Sequence, residues 1–125
     1  MDQATLVNLD VSAGLKVLDT LDAAKLKVAV ACWMLSPDYN DWRLVLSSPA
    51  FDQTHPLRAY EQVAEALHGH FVYTTPPILI LPTKDPFIRE LRRLFGKAKD
   101  VTGMRLGGQM IGNRFISDAY IYRIQ

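Results

Sequence analysis

Residues 104–124 read MRLGGQMIGNRFISDAYIYRI, and the fold depends on how this stretch pairs with itself. Gly112 and Asn113 stand at its centre, glycine first and asparagine second, a pair that suits a two-residue turn of the primed type. A turn there places Ile111 opposite Arg114, Met110 opposite Phe115, Leu106 opposite Ala119 and Met104 opposite Ile121. One face then carries Met104, Leu106, Gly108, Met110, Phe115, Ser117, Ala119 and Ile121, nearly all apolar or small. The other carries Arg105, Gly107, Gln109, Ile116, Asp118 and Tyr120. A slip by one residue would scramble both faces, so turn chemistry and alternation specify one register. A C-terminal β-hairpin with the first face inward is expected.

Working back from the hairpin, residues 86–99 open with Asp85 and Pro86, a cap followed by proline in the first turn. Phe87, Leu91, Leu94, Phe95 and Ala98 are expected to face inward, with a stop between Gly96 and Lys99. Residues 78–81 form an apolar run between prolines, as a short buried strand does. Residues 71–77 begin like a strand but are interrupted by Pro76 and Pro77. Residues 56–68 show helical periodicity, with Leu57, Tyr60, Val63, Ala64 and Leu67 on one arc and Thr54 or His55 as cap. Residues 42–48 read as a strand antiparallel to residues 26–35 through the turn-rich loop between them, and Pro49 closes it. Both alternating sets in 26–35 are apolar after Lys27, which predicts a central strand covered on both faces. A first helix is expected over 10–24 with Val11, Leu15, Leu18 and Leu21 buried, although Gly14 weakens its interior. Residues 1–9 show no clear period and are expected to be loosely held. The implied architecture is α+β: one domain over residues 1–125, a mixed sheet of about five strands, and three helices packed on it.

Composition narrows the function classes. Half the chain is hydrophobic, so disorder is excluded, and a lone cysteine rules out an internal disulfide or a cysteine-based zinc site. The start, Met1-Asp2-Gln3, lacks the basic character of a secretory leader, and no apolar run approaches the length of a membrane helix. A cytoplasmic protein with no membrane partner is expected. The formal charge of +1 hides an asymmetry. Residues 1–80 hold five Lys/Arg against nine Asp/Glu, and residues 81–125 hold nine against four. Such a split suits an anionic partner at the second half or steered self-association.

Candidate chemistry is sparse. Cys32 lies among Val30, Trp33 and Met34 and reads as a core thiol. Ser47, Ser48, Asp52 and His55 invite a hydrolase reading, but no nucleophile elbow accompanies them. Glu65 and His68 repeat half of a di-metal carboxylate motif whose other half is missing, so no metal or cofactor is expected. The helix over 86–99 turns Arg89, Arg92, Arg93 and Lys97 outward, a stripe able to meet phosphates or an acidic protein. The outer hairpin face groups Arg105, Gln109, Asp118 and Tyr120 around Gly107, a candidate site for a small polar ligand. The expected function is a non-enzymatic module that binds a protein partner or itself. The alternative is a nucleic-acid-binding accessory domain using residues 86–99, and a small hydrolase comes third.

Overall fold

The two-faced apolar stretch becomes β1 (Val30–Leu35), and it sits at the centre of the sheet as its pattern requires. The computed structural model describes residue 6 and residues 8–39, 41–71 and 75–125. The expectations for most of residues 1–9, and for a strand at 72–74, fall outside the described residues. Before β1 comes α1 (Asn8–Ala23), and after it β2 (Arg43–Ser47), paired antiparallel so that Val30 meets Ser47 and Met34 meets Arg43. Pro49 closes β2 as expected and also starts α2 (Pro49–Asp52), a single turn in addition to the three longer helices. Then follow α3 (Pro56–Leu67) and β3 (Ile78–Ile80), which returns parallel to β2. The chain continues through α4 (Pro86–Phe95), β4 (Arg105–Leu106), β5 (Gln109–Ile111), β6 (Arg114–Ile116) and β7 (Asp118–Ile124). The main sheet runs β3-β2-β1-β7-β4, and β5 and β6 form a separate two-stranded sheet.

Each face of the main sheet has its own core. On one side α1 and α3 bring Val17, Leu18, Leu21, Ala59, Val63 and Leu67 against Ala31, Trp33, Leu44 and Leu46. On the other, Phe87, Ile88 and Leu91 of α4 meet Val30, Cys32, Met34, Val45 and Ile121. The β5–β6 hairpin closes this second core with Ile111 and Ile116. Among the described residues, no helix is long and apolar enough to cross a membrane.

The hairpin register is the one its turn dictates. Met110 pairs with Phe115, Ile111 with Arg114, and Leu106 with Ala119. Gly112 has φ +60° and Asn113 has no positive φ, the pattern of a type II′ turn. The expected inward face fails beyond the glycine pair, however. Met104 and Leu106 pack inward as expected, but Met110 and Phe115 are exposed while Ile111 and Ile116 are fully buried. The cause lies at Gly107 and Gly108. Gly108 takes φ +65°, and a Cβ at Gly107 would stand 2.8 Å from the Ser117 carbonyl oxygen. The ladder breaks there, the tip turns over, and its opposite face lands on α4.

Two helices are also rotated from the expected seating. Leu15 of α1 is exposed and Val17 is buried in its place. In α3 the buried set is Ala59, Val63 and Leu67, leaving Leu57 64% exposed and Tyr60 37% exposed.

Candidate binding surfaces

On α4, the Asp85 carboxylate accepts the Phe87 amide at 2.9 Å, and Pro86 follows without needing a donor. Phe87, Ile88 and Leu91 go into the core, Phe95 is partly buried, and Leu94 is left 45% exposed against expectation. Leu94 and Ala98 miss the core because the helix ends at Phe95 and Ile88 takes the inward position instead. The remaining positions carry Arg89, Glu90, Arg92 and Arg93.

The four cations of the expected stripe have different environments. Arg93 donates through Nε and one terminal nitrogen to the two oxygens of Glu90, at 2.8 and 2.7 Å. That fork holds the Glu90 carboxyl below its ordinary range and pushes the Arg93 guanidinium up. Arg92 Nε donates to the Gln125 carbonyl oxygen at 2.7 Å, which ties the helix to the end of β7. Arg89 is exposed and has no partner among the described residues, and Lys97 lies past the last helical turn. Arg89, Arg92 and Arg93 line one shallow hollow of about 430 Å³ with Gly96 and Gln125. A second hollow of about 440 Å³ lies between Arg89, Glu90 and Arg93 and the hairpin turn at Gly112.

The proposed hairpin cluster does not assemble as a whole. Arg105 and Asp118 form an ion pair at 2.5 Å, and the other Asp118 oxygen accepts the Ala119 amide at 2.8 Å. Tyr120 stacks edge-on against Tyr122, with centroids 5.4 Å apart. The Arg105 guanidinium lies over the Trp42 ring at 6.0 Å. These three side chains belong to the sheet face that α1 and α3 cover. Gln109 pairs with Ile116 and shares its strand face with Ile111, so the glycine kink carries it to the opposite side. At Gly107 the Ser117 backbone approaches too closely for a side chain, which accounts for the glycine there.

Ser48, His55 and Asp52 have local structural roles, whereas the buried Ser47 hydroxyl has no hydrogen-bond partner among the described residues. Ser48 is buried and caps α2 by accepting the Ala50 amide at 3.1 Å. Its hydroxyl also reaches the carbonyls of Leu26 and Lys27 at 2.5 and 2.9 Å, where the backbone passes through positive φ at Lys25 and Lys27. His55 Nδ1 accepts the Leu57 amide at 3.2 Å as the α3 cap, and Asp52 holds the amide and hydroxyl of Thr83. Among the described residues no hydrogen bond joins these groups into a relay. Glu61 and Glu65 share Arg58 at 3.8 and 3.4 Å. Among the described residues no cluster of three or more His, Cys, Asp or Glu could hold a metal ion. Burial pushes the Cys32 thiol up to about 12, the state of a packed core cysteine.

One feature escaped the sequence reading. Tyr60, Val63, Ala64 and Leu67 form one wall of an apolar groove of about 560 Å³, faced by Phe71, Pro76 and Ile78. The Tyr60 hydroxyl accepts the Ile80 amide at 2.9 Å and separates this groove from a smaller one toward Asp52 and Lys84. The available signal was the width of the α3 apolar arc, which exceeds what one core can cover. Comparison with protein-family models, with curated proteins and with solved structures gives no match.

Proposed function

We propose that the protein is a cytoplasmic, non-enzymatic binding module that takes up an acidic protein surface on its α4 layer. The observation that carries this reading is the separation of charge across the sheet. The α1 and α3 layer carries five acids against two bases, whereas residues 86–99 on the opposite face carry five bases against one acid. Arg89, Lys97 and Lys99 are without partners among the described residues, so an incoming acid need displace nothing to reach them. The lone cysteine, a core thiol, suits a reducing compartment.

Fluorescence anisotropy with labelled polyglutamate tests the reading. Affinity should drop steeply between about 50 and 200 mM salt, because surface attraction is screened over that range. Arg89→Glu with Lys97→Glu should abolish binding, and Asp19→Lys on the opposite layer should not. Absence of binding at low salt, or binding that survives the double reversal, would remove the proposal.

The second reading, a nucleic-acid accessory domain, is favoured by the neighbouring free donors of Arg89 and Arg92 with Lys97 just beyond. Glu90 already occupies most of the Arg93 fork, leaving three phosphate-binding cations where the sequence offered four. Three contacts imply a log–log salt slope of about −2 to −3 for an oligonucleotide.

A further inference from the structure

We propose that the hollow lined by Arg89, Arg92, Arg93, Gly96 and Gln125 binds a phosphate monoester borne on the protein partner, that is, a phosphorylated side chain. The inference rests on the reading of α4 as the partner surface and narrows it to one chemical group. Three arginines converge on a single hollow of about 430 Å³. Two of them are oriented through their Nε atoms, Arg92 by the Gln125 carbonyl at 2.7 Å and Arg93 by Glu90 at 2.8 Å. Arg92 keeps both terminal nitrogens for a ligand, and Arg89 keeps every donor. Guanidinium groups already held in place lose less freedom when they bind, and their planar forks match oxyanions two bonds at a time. Gly96 adds no side chain, so the hollow stays open between the arginines.

The concentration of charge selects the ligand. A phosphate monoester brings a charge of about −1.5 to −2 and three acceptor oxygens to one point, enough for two free forks. A carboxylate carries a single charge and fills one fork. A nucleic-acid backbone distributes its charge along a line, which calls for cations in a row. Here the row is cut short, since α4 stops at Phe95 and Glu90 neutralises Arg93. What remains is a compact positive site beside a basic surface.

The test compares three short labelled peptides that differ at one position, carrying phosphoserine, glutamate or serine, with anisotropy read at fixed ionic strength. The phosphopeptide should bind about tenfold tighter than the glutamate peptide, the difference of roughly one additional charge-assisted hydrogen-bond pair. Arg89→Lys keeps the charge and removes the fork, and should lose about fivefold of that preference. Its thermal melting should match the wild type, because the Arg89 side chain has no partner among the described residues. Equal binding of the phosphoserine and glutamate peptides overturns this inference and leaves the acidic-partner reading standing. Failure of all three peptides to bind removes both. Inorganic phosphate binding as tightly as the phosphopeptide would make the hollow a site for the free anion, and an oligonucleotide binding more tightly would give it to nucleic acid. Either result overturns a partner-borne phosphate, as does a preference that persists in the Arg89→Lys, Arg92→Lys double variant.

Discussion

Gly14 sits in the middle of α1, where helix propensity alone would favour alanine by about 1 kcal/mol. Packing opposes that preference. A Cβ at this position would stand 2.4 Å from the Tyr122 hydroxyl oxygen and 2.7 Å from Trp33 Nε1. These two groups are joined to each other at 3.0 Å, and the Tyr122 hydroxyl donates to the Val11 carbonyl at 2.5 Å. The helix is therefore seated on a polar knot, and glycine is what allows it to come so close. Gly14→Ala should destabilise the protein by about 1–3 kcal/mol, the usual cost of forced overpacking, measured by urea denaturation. A gain in stability would show that propensity prevails and that the knot yields. The same knot predicts an alkaline dependence. Burial pushes the Tyr122 phenol up to about 12 from an ordinary 10. Between those values the unfolded chain loses a proton that the folded chain retains, so stability falls as pH rises through the window, by about 2–3 kcal/mol in all. In Tyr122→Phe the decline should be shallower, with the raised Cys32 thiol still contributing. Denaturation curves of the wild type and Tyr122→Phe at about pH 9, below the window, and about pH 11, inside it, would show the same slope for both if the phenol were not responsible.

At the scale of elements, the C-terminal hairpin was legible in its register but not in its facing. Alternation and the glycine-first turn give the pairs Met110 with Phe115 and Leu106 with Ala119, both present in the structure. Periodicity has no means of registering a kink, so the turnover at Gly107 and Gly108 had to come from the fold. The same limit explains α3, whose apolar arc identified the helix without saying which part of it the sheet would cover. For β1 the pattern left no such choice, because both faces are apolar and both are buried. The hairpin turn carries a test of its own. Gly112 has positive φ, and a Cβ there would lie 2.4 Å from the Pro86 carbonyl oxygen at the start of α4. Gly112→Val should cost about 1–3 kcal/mol, through strain in the turn. A loss of only a few tenths would mean that the tip shifts freely off α4, although Ile111 and Ile116 are fully buried beneath it.

Across the whole molecule, a charge difference between two halves of the chain becomes a difference between two faces of a sheet. The chemistry of the basic face was legible in the sequence, since Arg89, Arg92, Arg93 and Lys97 could be read directly. Their partners were not. Glu90 sits three residues before Arg93, a spacing that offers a pair without requiring one, and Gln125 reaches Arg92 only because β7 ends beside α4. Opposed layers of opposite sign have a further consequence for self-association. The acidic layer of one copy is complementary to the α4 layer of another, and such a contact is head-to-tail and does not close on itself. Low salt should therefore produce an average mass that climbs with protein concentration and reaches no plateau. At about 10 mM salt the screening length is about 30 Å and the layers attract across their whole extent, whereas at 0.15 M it is about 8 Å and the protein should be monomeric. Arg89→Glu with Lys97→Glu should suppress the growth without changing the melting temperature, because neither residue supports the fold. Sedimentation equilibrium across this salt range decides the matter. A plateau at a dimer that ignores salt would point to a self-complementary apolar contact, for which the groove along α3 is the available surface, and would rule out charge as the organiser of assembly.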